Sequence, residues 1–240
     1  MEAVLQPAPL AGEHEDWLHR LGVSLSSSKW SESLQGIVGK LALNTPLDLE
    51  DGVVLFNHPD LHELGALANA VREARFGRQA FFNSNVHINQ TNICVLACRF
   101  CAFRRGPKAD DAYAMSVEEY VADLAQYAHA VDEVHSVGGL HPEWGVEHYE
   151  SLFRRVSDEH PHVSIKALTA VEIKHLAQRS SISTLDVLKR LRQAGLMSLP
   201  GGGAEILDDE VRAVICNGKE SSEEYIPVSY THLTLPTSRS

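Results

Sequence analysis

At Phe81 the spacing of apolar residues changes from helical to alternating, and that change decides what the rest of the chain can fold into. Phe82, Ser84, Val86 and Ile88 fall on one side of an extended segment and Asn83, Asn85, His87 and Asn89 on the other, the period of two of a strand. Beyond it, short apolar runs at 133–137, 163–169 and 197–199 alternate with helical patterns over 117–130, 146–159, 185–194 and 208–216. Strand–helix alternation with short connections predicts right-handed βαβ units and a parallel sheet. Parallel strands are ordinarily apolar on both faces because helices cover both. The row Asn83, Asn85, His87 and Asn89 therefore needs a polar space to face. A barrel lumen around a polar ligand supplies one; an edge strand facing water is the alternative.

Before Phe81 the pattern is helical. Leu34, Ile37, Val38, Leu41 and Ala42 recur at steps of three and four, a second helix is expected from Asp48 as N-cap to Phe56, and a third from Asp60 to Arg75, ending before Gly77. The third places Leu61, Leu64, Leu67, Ala68 and Val71 on one face. Residues 33–79 thus read as a helical N-terminal segment. Residues 1–32 carry Pro7, Pro9, Gly12, Gly22 and a serine run without a sustained period, and are expected to be a mobile leader. Residues 80–218 hold four strand–helix units, whereas a complete (β/α)8 barrel has eight in about 250 residues. They read as a partial barrel that lacks the half completing the pocket, and the chain as an inactive fragment. Residues 219–240, where the pattern collapses into Ser and Glu and then into unrelated sequence, are expected to be a non-native tail.

Charge narrows the partners. Lys and Arg number 21 against 32 Asp and Glu, a net charge of -11, which repels phosphate backbones and anionic lipid headgroups. Neither nucleic acid nor membrane is an expected partner. No apolar run is long enough to span a bilayer, and Glu2, Glu13, Glu15 and Asp16 stand where a secretory leader carries basic residues. The expected location is cytoplasmic.

Three of the four cysteines, Cys94, Cys98 and Cys101, fall within eight residues directly after the first strand, at the end of a parallel sheet where such folds place their chemistry. Thiolates are soft ligands suited to zinc or iron–sulfur clusters. Structural zinc takes four protein ligands, so a fourth, His87 or Cys216, would have to come from the fold. A cubane cluster held by three cysteines instead leaves one iron open, which is a catalytic arrangement. Small core residues on one helical face are the remaining alternative.

Cys94-x3-Cys98-x2-Cys101, with Phe100 before the last cysteine, resembles the cluster loop of the radical S-adenosylmethionine (SAM) superfamily. The segments His87-Ile-Asn-Gln-Thr-Asn-Ile-Cys94, Cys98-Arg-Phe-Cys-Ala-Phe-Arg104, Val137-Gly-Gly-Leu-His-Pro142, Lys166-Ala-Leu-Thr-Ala-Val-Glu-Ile173 and Ser198-Leu-Pro-Gly-Gly-Gly-Ala-Glu-Ile206 are similar to the aminodeoxyfutalosine synthase family, over about 34–216. Gln90 departs from it, standing where the family has proline.

The resemblance implies an enzyme with a TIM-like (β/α) barrel, truncated after about four units. Cys94, Cys98 and Cys101 would ligate a [4Fe-4S] cluster whose open iron takes SAM, a co-substrate. The resembled enzymes add the 5′-deoxyadenosyl radical to 3-[(1-carboxyvinyl)oxy]benzoate, forming 6-amino-6-deoxyfutalosine on the futalosine route to menaquinone. Gly138 and Gly139 would contact the SAM amino group, and Glu172 and Glu205 its hydroxyls or ammonium; either acid can instead serve a helix N-terminus. Asn85, His87, Arg104, His141 and Lys166 are the candidate substrate-binding residues, with Arg104, Arg105 or Lys166 meeting substrate carboxylates; a solvated surface position is the expectation for Arg105. A reductant such as flavodoxin or ferredoxin would supply electrons. Rival readings are dehypoxanthine futalosine cyclase, deazaflavin synthase and, in another class, a non-catalytic module holding zinc through the three cysteines and one histidine.

Overall fold

The computed structural model of the protein describes residues 13–234; 1–12 of the expected leader and 235–240 of the expected tail lie outside the described residues. The chain divides into two compact units, Met1–Phe82 and Asn83–Ser240.

The first unit is helical: α1 Trp17–Ser27, α2 Gln35–Ala42, α3 Leu49–Phe56 and α4 Leu61–Phe76. Asp48 caps α3 through a reciprocal box with Asp51, and Lys40 bridges both carboxylates at 2.8 and 2.6 Å. Asp60 caps α4, which ends at Gly77 with φ 59°, a conformation that favours glycine. Two expectations are corrected. Trp17–Ser27 lies inside the expected leader yet forms a helix, because Leu21 and Leu25, four residues apart, enter a core with Leu34, Ile37, Leu67, Ala70 and Ala74. The buried face of α4 is centred on Leu67, Ala70 and Ala74, not on Leu61, which is exposed.

The second unit is a four-stranded parallel sheet in the order β1-β2-β3-β4, comprising β1 Asn85–His87, β2 Glu133–Ser136, β3 Ser164–Ala167 and β4 Leu196–Ser198. Its helices are α5 Val117–Ala125, α6 Val146–Glu159, α7 Ala170–Ser180, α8 Thr184–Gln193, α9 Asp209–Ile215 and α10 Ser222–Thr234. Two helices, not one, cross from β3 to β4. The register aligns Val86, Val134, Ile165 and Leu196 across all four strands. That row belongs to the core closed by Tyr120, Leu124, Tyr149, Leu152, Phe153, Leu188 and Leu191 from α5, α6 and α8. The alternate rows are polar: Asn85, Glu133 and Ser164 in one, His87, His135, Lys166 and Ser198 in the other. The sheet is therefore helix-covered on one face and polar on the other, as the alternation in β1 implied. α10 forms within the expected tail, with Tyr225 and Val228 buried in the same core.

Candidate cluster and cofactor site

The chain after β1 is laced into a loop by its own polar side chains. Asn92 Nδ2 donates to the Asp111 carbonyl while its Oδ1 accepts from Tyr113 N; Thr91 Oγ1 donates to the Tyr113 carbonyl and accepts from Ile93 N. Arg105 grips Asp111 with Nε at 2.7 Å from both oxygens, and its Nη1 donates to the carbonyls of Ala102, Phe103 and Arg104. Arg105 thus braces the cysteine turn rather than standing free in solvent. Cys94, Cys98 and Cys101 all project from this loop, free and half-buried.

The loop lies on the C-terminal end of β2. Gly139 N donates to the Thr91 carbonyl at 2.8 Å and Val95 N to the Leu140 carbonyl at 3.0 Å. A Cβ on Gly139 would meet Ile93 O at 2.1 Å and Cys94 Cβ at 3.0 Å; one on Gly138 would meet Gln90 Nε2 at 2.9 Å. The glycine pair is what lets the cysteine loop sit this close to the sheet.

Beneath the loop is a buried polar network that the sequence did not announce. Gln90, 1% exposed, accepts from Ser136 Oγ at 2.7 Å and donates to Tyr149 Oη at 3.2 Å. Glu172 accepts from Gly138 N at 2.9 Å, and from Thr169 N and Oγ1 at 2.6 and 2.9 Å. Burial pushes the Glu172 pKa up to about 7, against the hydrogen bonds from Gly138, Thr169 and Gln90 that favour its ionised form. Glu172 therefore closes the N-terminal box of α7 and fixes the Gly138 amide, a role beneath the glycine loop instead of in an open cavity.

The other sequence candidates separate into two groups. Asn85, His87 and Lys166 stand on the polar sheet face, joined by His135, stacked on His87 at 4.8 Å, and Glu133, 4.0 Å from Lys166. Burial lowers the His135 pKa, with His87 and Lys166 adding to the effect. Glu133 and His135 were missed; the cue was their place in the strand at 133–137, in register with a β1 row already read as polar. Arg104 lies in the cysteine loop with its buried Nε making no hydrogen bond among the described residues. His141 stacks on Trp144 at 4.3 Å, which stacks on His148 at 3.8 Å. Glu205 pairs with Lys219 at 2.8 Å.

The donor set suits an iron–sulfur cluster. Among the described residues no three His, Cys, Asp or Glu side chains converge on a single-ion site. Three free, half-buried cysteines on one loop suit a multi-iron cluster, in which each thiolate would meet a different iron. Among the described residues no helix is long and apolar enough to cross a membrane.

Comparison with known proteins agrees. The chain is 38% identical over 204 residues to the aminodeoxyfutalosine synthase of Thermus thermophilus, covering 84% of this chain and 55% of that one. It is 34% identical over 200 residues to the cyclic dehypoxanthine futalosine synthase of Streptomyces coelicolor, covering 81% and 50%. The chain thus spans about half the length of the curated relatives it matches. Among solved structures, methylornithine synthase superposes with a TM-score of 0.59 at 17% identity, over 89% of this chain and 55% of that one, a likeness of fold. Residues 88–228, more than half of the chain and including all three loop cysteines, match the Radical SAM superfamily model; the chain belongs to that superfamily.

Proposed function

We propose that the protein is an aminodeoxyfutalosine synthase, joining the 5′-deoxyadenosyl group of SAM to 3-[(1-carboxyvinyl)oxy]benzoate to give 6-amino-6-deoxyfutalosine for menaquinone synthesis. The observation that carries the reading is the cysteine loop seated on Gly139, which brings three thiols to the end of a parallel sheet with a polar face. Cys94, Cys98 and Cys101 would hold a [4Fe-4S] cluster, which when bound would supply the single electron for SAM cleavage. Gly138 and Gly139 have their amides engaged by Glu172 and Thr91, so their carbonyls are the groups offered to the SAM ammonium. Asn85, His87 and Lys166 on the sheet face, with Arg104 and His141 from the loops, receive a substrate carrying carboxylates, and flavodoxin or ferredoxin serves as reductant. Over similar lengths, 38% identity to a synthase against 34% to a futalosine cyclase supports the synthase over the cyclase; a 5-amino-6-(D-ribitylamino)uracil–L-tyrosine 4-hydroxyphenyl transferase is 43% identical over 159 residues, so a deazaflavin-type reaction is the rival that product analysis tests.

Anaerobic reconstitution with iron and sulfide, followed by dithionite, SAM and the enol ether, tests this. An adenosine-containing adduct with SAM consumed is the outcome the synthase reading expects, and from this chain it would also overturn its reading as an inactive fragment. Free 5′-deoxyadenosine and a cyclised product from dehypoxanthine futalosine would transfer the assignment to the cyclase. A colourless protein holding one zinc and leaving SAM intact would sink the radical reading.

A further inference from the structure

The turn after α9 packs on the cysteine loop at several points. Arg99 N donates to the Ile215 carbonyl at 2.8 Å, and a Cβ at Gly218 would stand 3.3 Å from Leu96 Cδ2. Lys219, the first residue of the expected tail but within the residues 88–228 that match the superfamily model, has its Nζ 5.5 Å from the centre of the ring of Phe100, which lies between Cys98 and Cys101 in the chain. The Lys219 side chain is 9% exposed, and its Nζ is 2.8 and 3.0 Å from the two oxygens of Glu205, which is 32% exposed. A buried ammonium is unfavourable unless paired, and Glu205 provides the pairing from the solvent side. Lys219 thus stands beside the cysteine loop, over the ring that separates Cys98 from Cys101 in the chain, with Glu205 as its partner.

We propose that Lys219 and Glu205 form an opposed pair of charges that sets the reduction potential of a cluster held by Cys94, Cys98 and Cys101. The inference rests on the cluster reading above. Three thiolates give an oxidised [4Fe-4S]2+ centre a net negative charge, and the one electron taken from a low-potential one-electron reductant makes it more negative still. In a poorly screened interior, a fixed cation favours the more negative state and a fixed anion disfavours it. Lys219 therefore raises the potential, and Glu205 lowers it. This gives Glu205 an electrostatic task in place of the SAM contact that its position after the fourth strand suggested.

Spectroelectrochemical titration of the anaerobically reconstituted chain, in wild type, Lys219→Met, Glu205→Gln and the double variant, reads the effect directly. Lys219→Met is expected to shift the midpoint to more negative values, Glu205→Gln to more positive ones, and the double variant to return close to wild type, while Lys219→Arg holds the wild-type value. A packing role moves both single variants in one direction or neither. That result, at wild-type iron content, overturns the inference and leaves the cluster reading standing. A wild-type chain that takes up no iron and sulfide overturns both. Should Lys219→Met not load, the sign for Glu205→Gln decides: positive supports the pair, zero or negative refutes it.

Discussion

A methyl group at Gly139 has nowhere to go. The atoms it meets are the Ile93 carbonyl at 2.1 Å and Cys94 Cβ at 3.0 Å, so relief requires moving the backbone that carries a cluster thiol. Gly139→Ala is expected to destabilise the chain by about 1–3 kcal/mol and to abolish iron uptake, read by iron analysis after reconstitution; Gly201→Ala, with nothing within 4 Å, is the control that keeps its iron. Glu172 makes a different prediction. Its pKa rises on folding from 4.5 to about 7, burial outweighing the donors around it, so the folded chain holds the proton more tightly. Its contribution is full below about 4.5 and is lost as pH rises through about 7, amounting to about 3 kcal/mol. Glu172→Gln cannot titrate. In urea unfolding, the stability of wild type relative to this variant should fall by about that amount between roughly pH 4.5 and pH 8. A difference that stays constant across the range would remove Glu172 as the titrating group.

Helices show where local pattern suffices and where it does not. α6 spans the expected residues 146–159, since Val146, Tyr149, Leu152, Phe153 and Val156 repeat at helical steps and all reach the core. α5 begins where Ser116 and Glu119 exchange side-chain-to-backbone hydrogen bonds of 3.1 and 2.7 Å. Ser116→Ala should therefore cost about 1 kcal/mol in chemical unfolding. The pattern assigns 170–180 to no element although Thr169-Ala-Val-Glu172 carries the same box: the strand is expected to run through Thr169, and Glu172 reads as a SAM contact with a helix N-terminus as the alternative. α1 was missed because its serines and Gly22 dilute the pattern, and only packing against a distant α4 makes Leu21 and Leu25 core residues. The site divides the same way. Three cysteines at fixed spacing are a local signal, as is the polar alternation in β1. The His87–His135 stack and the Glu133–Lys166 approach depend on strand register, which pairs residues more than thirty positions apart and has no local signature. Gln90 is the clearest case: in the sequence it is only a departure from a family proline, whereas the fold makes it a buried bridge between Ser136 and Tyr149.

Across the whole molecule, a net charge of -11 would oppose the approach of the dicarboxylate substrate of the proposed reaction, so on that proposal binding depends on the few cations that the fold keeps near the sheet end. Most cations near the site are already committed, Arg105 to Asp111 and Lys219 to Glu205. Arg104 is placed differently, with a buried Nε making no hydrogen bond among the described residues. Lys166 is partly committed: its Nζ is 4.0 Å from Glu133, beyond hydrogen-bond range, so it retains donors for an incoming anion. A charge-assisted hydrogen bond contributes about 1.5–3 kcal/mol, and about 1.4 kcal/mol is tenfold in affinity. Arg104→Met and Lys166→Met should each weaken binding of 3-[(1-carboxyvinyl)oxy]benzoate by roughly ten- to a hundredfold, measured by titration calorimetry on the cluster-loaded, SAM-bound chain. Added salt should reduce the wild-type affinity more than that of either variant, because the variants have lost the attraction that salt screens. Arg105→Met should instead lower the iron content, since its guanidinium braces the turn that carries the cysteines. Unchanged affinity in both Arg104→Met and Lys166→Met would show that the carboxylates are met elsewhere and that the polar sheet face is not the substrate floor.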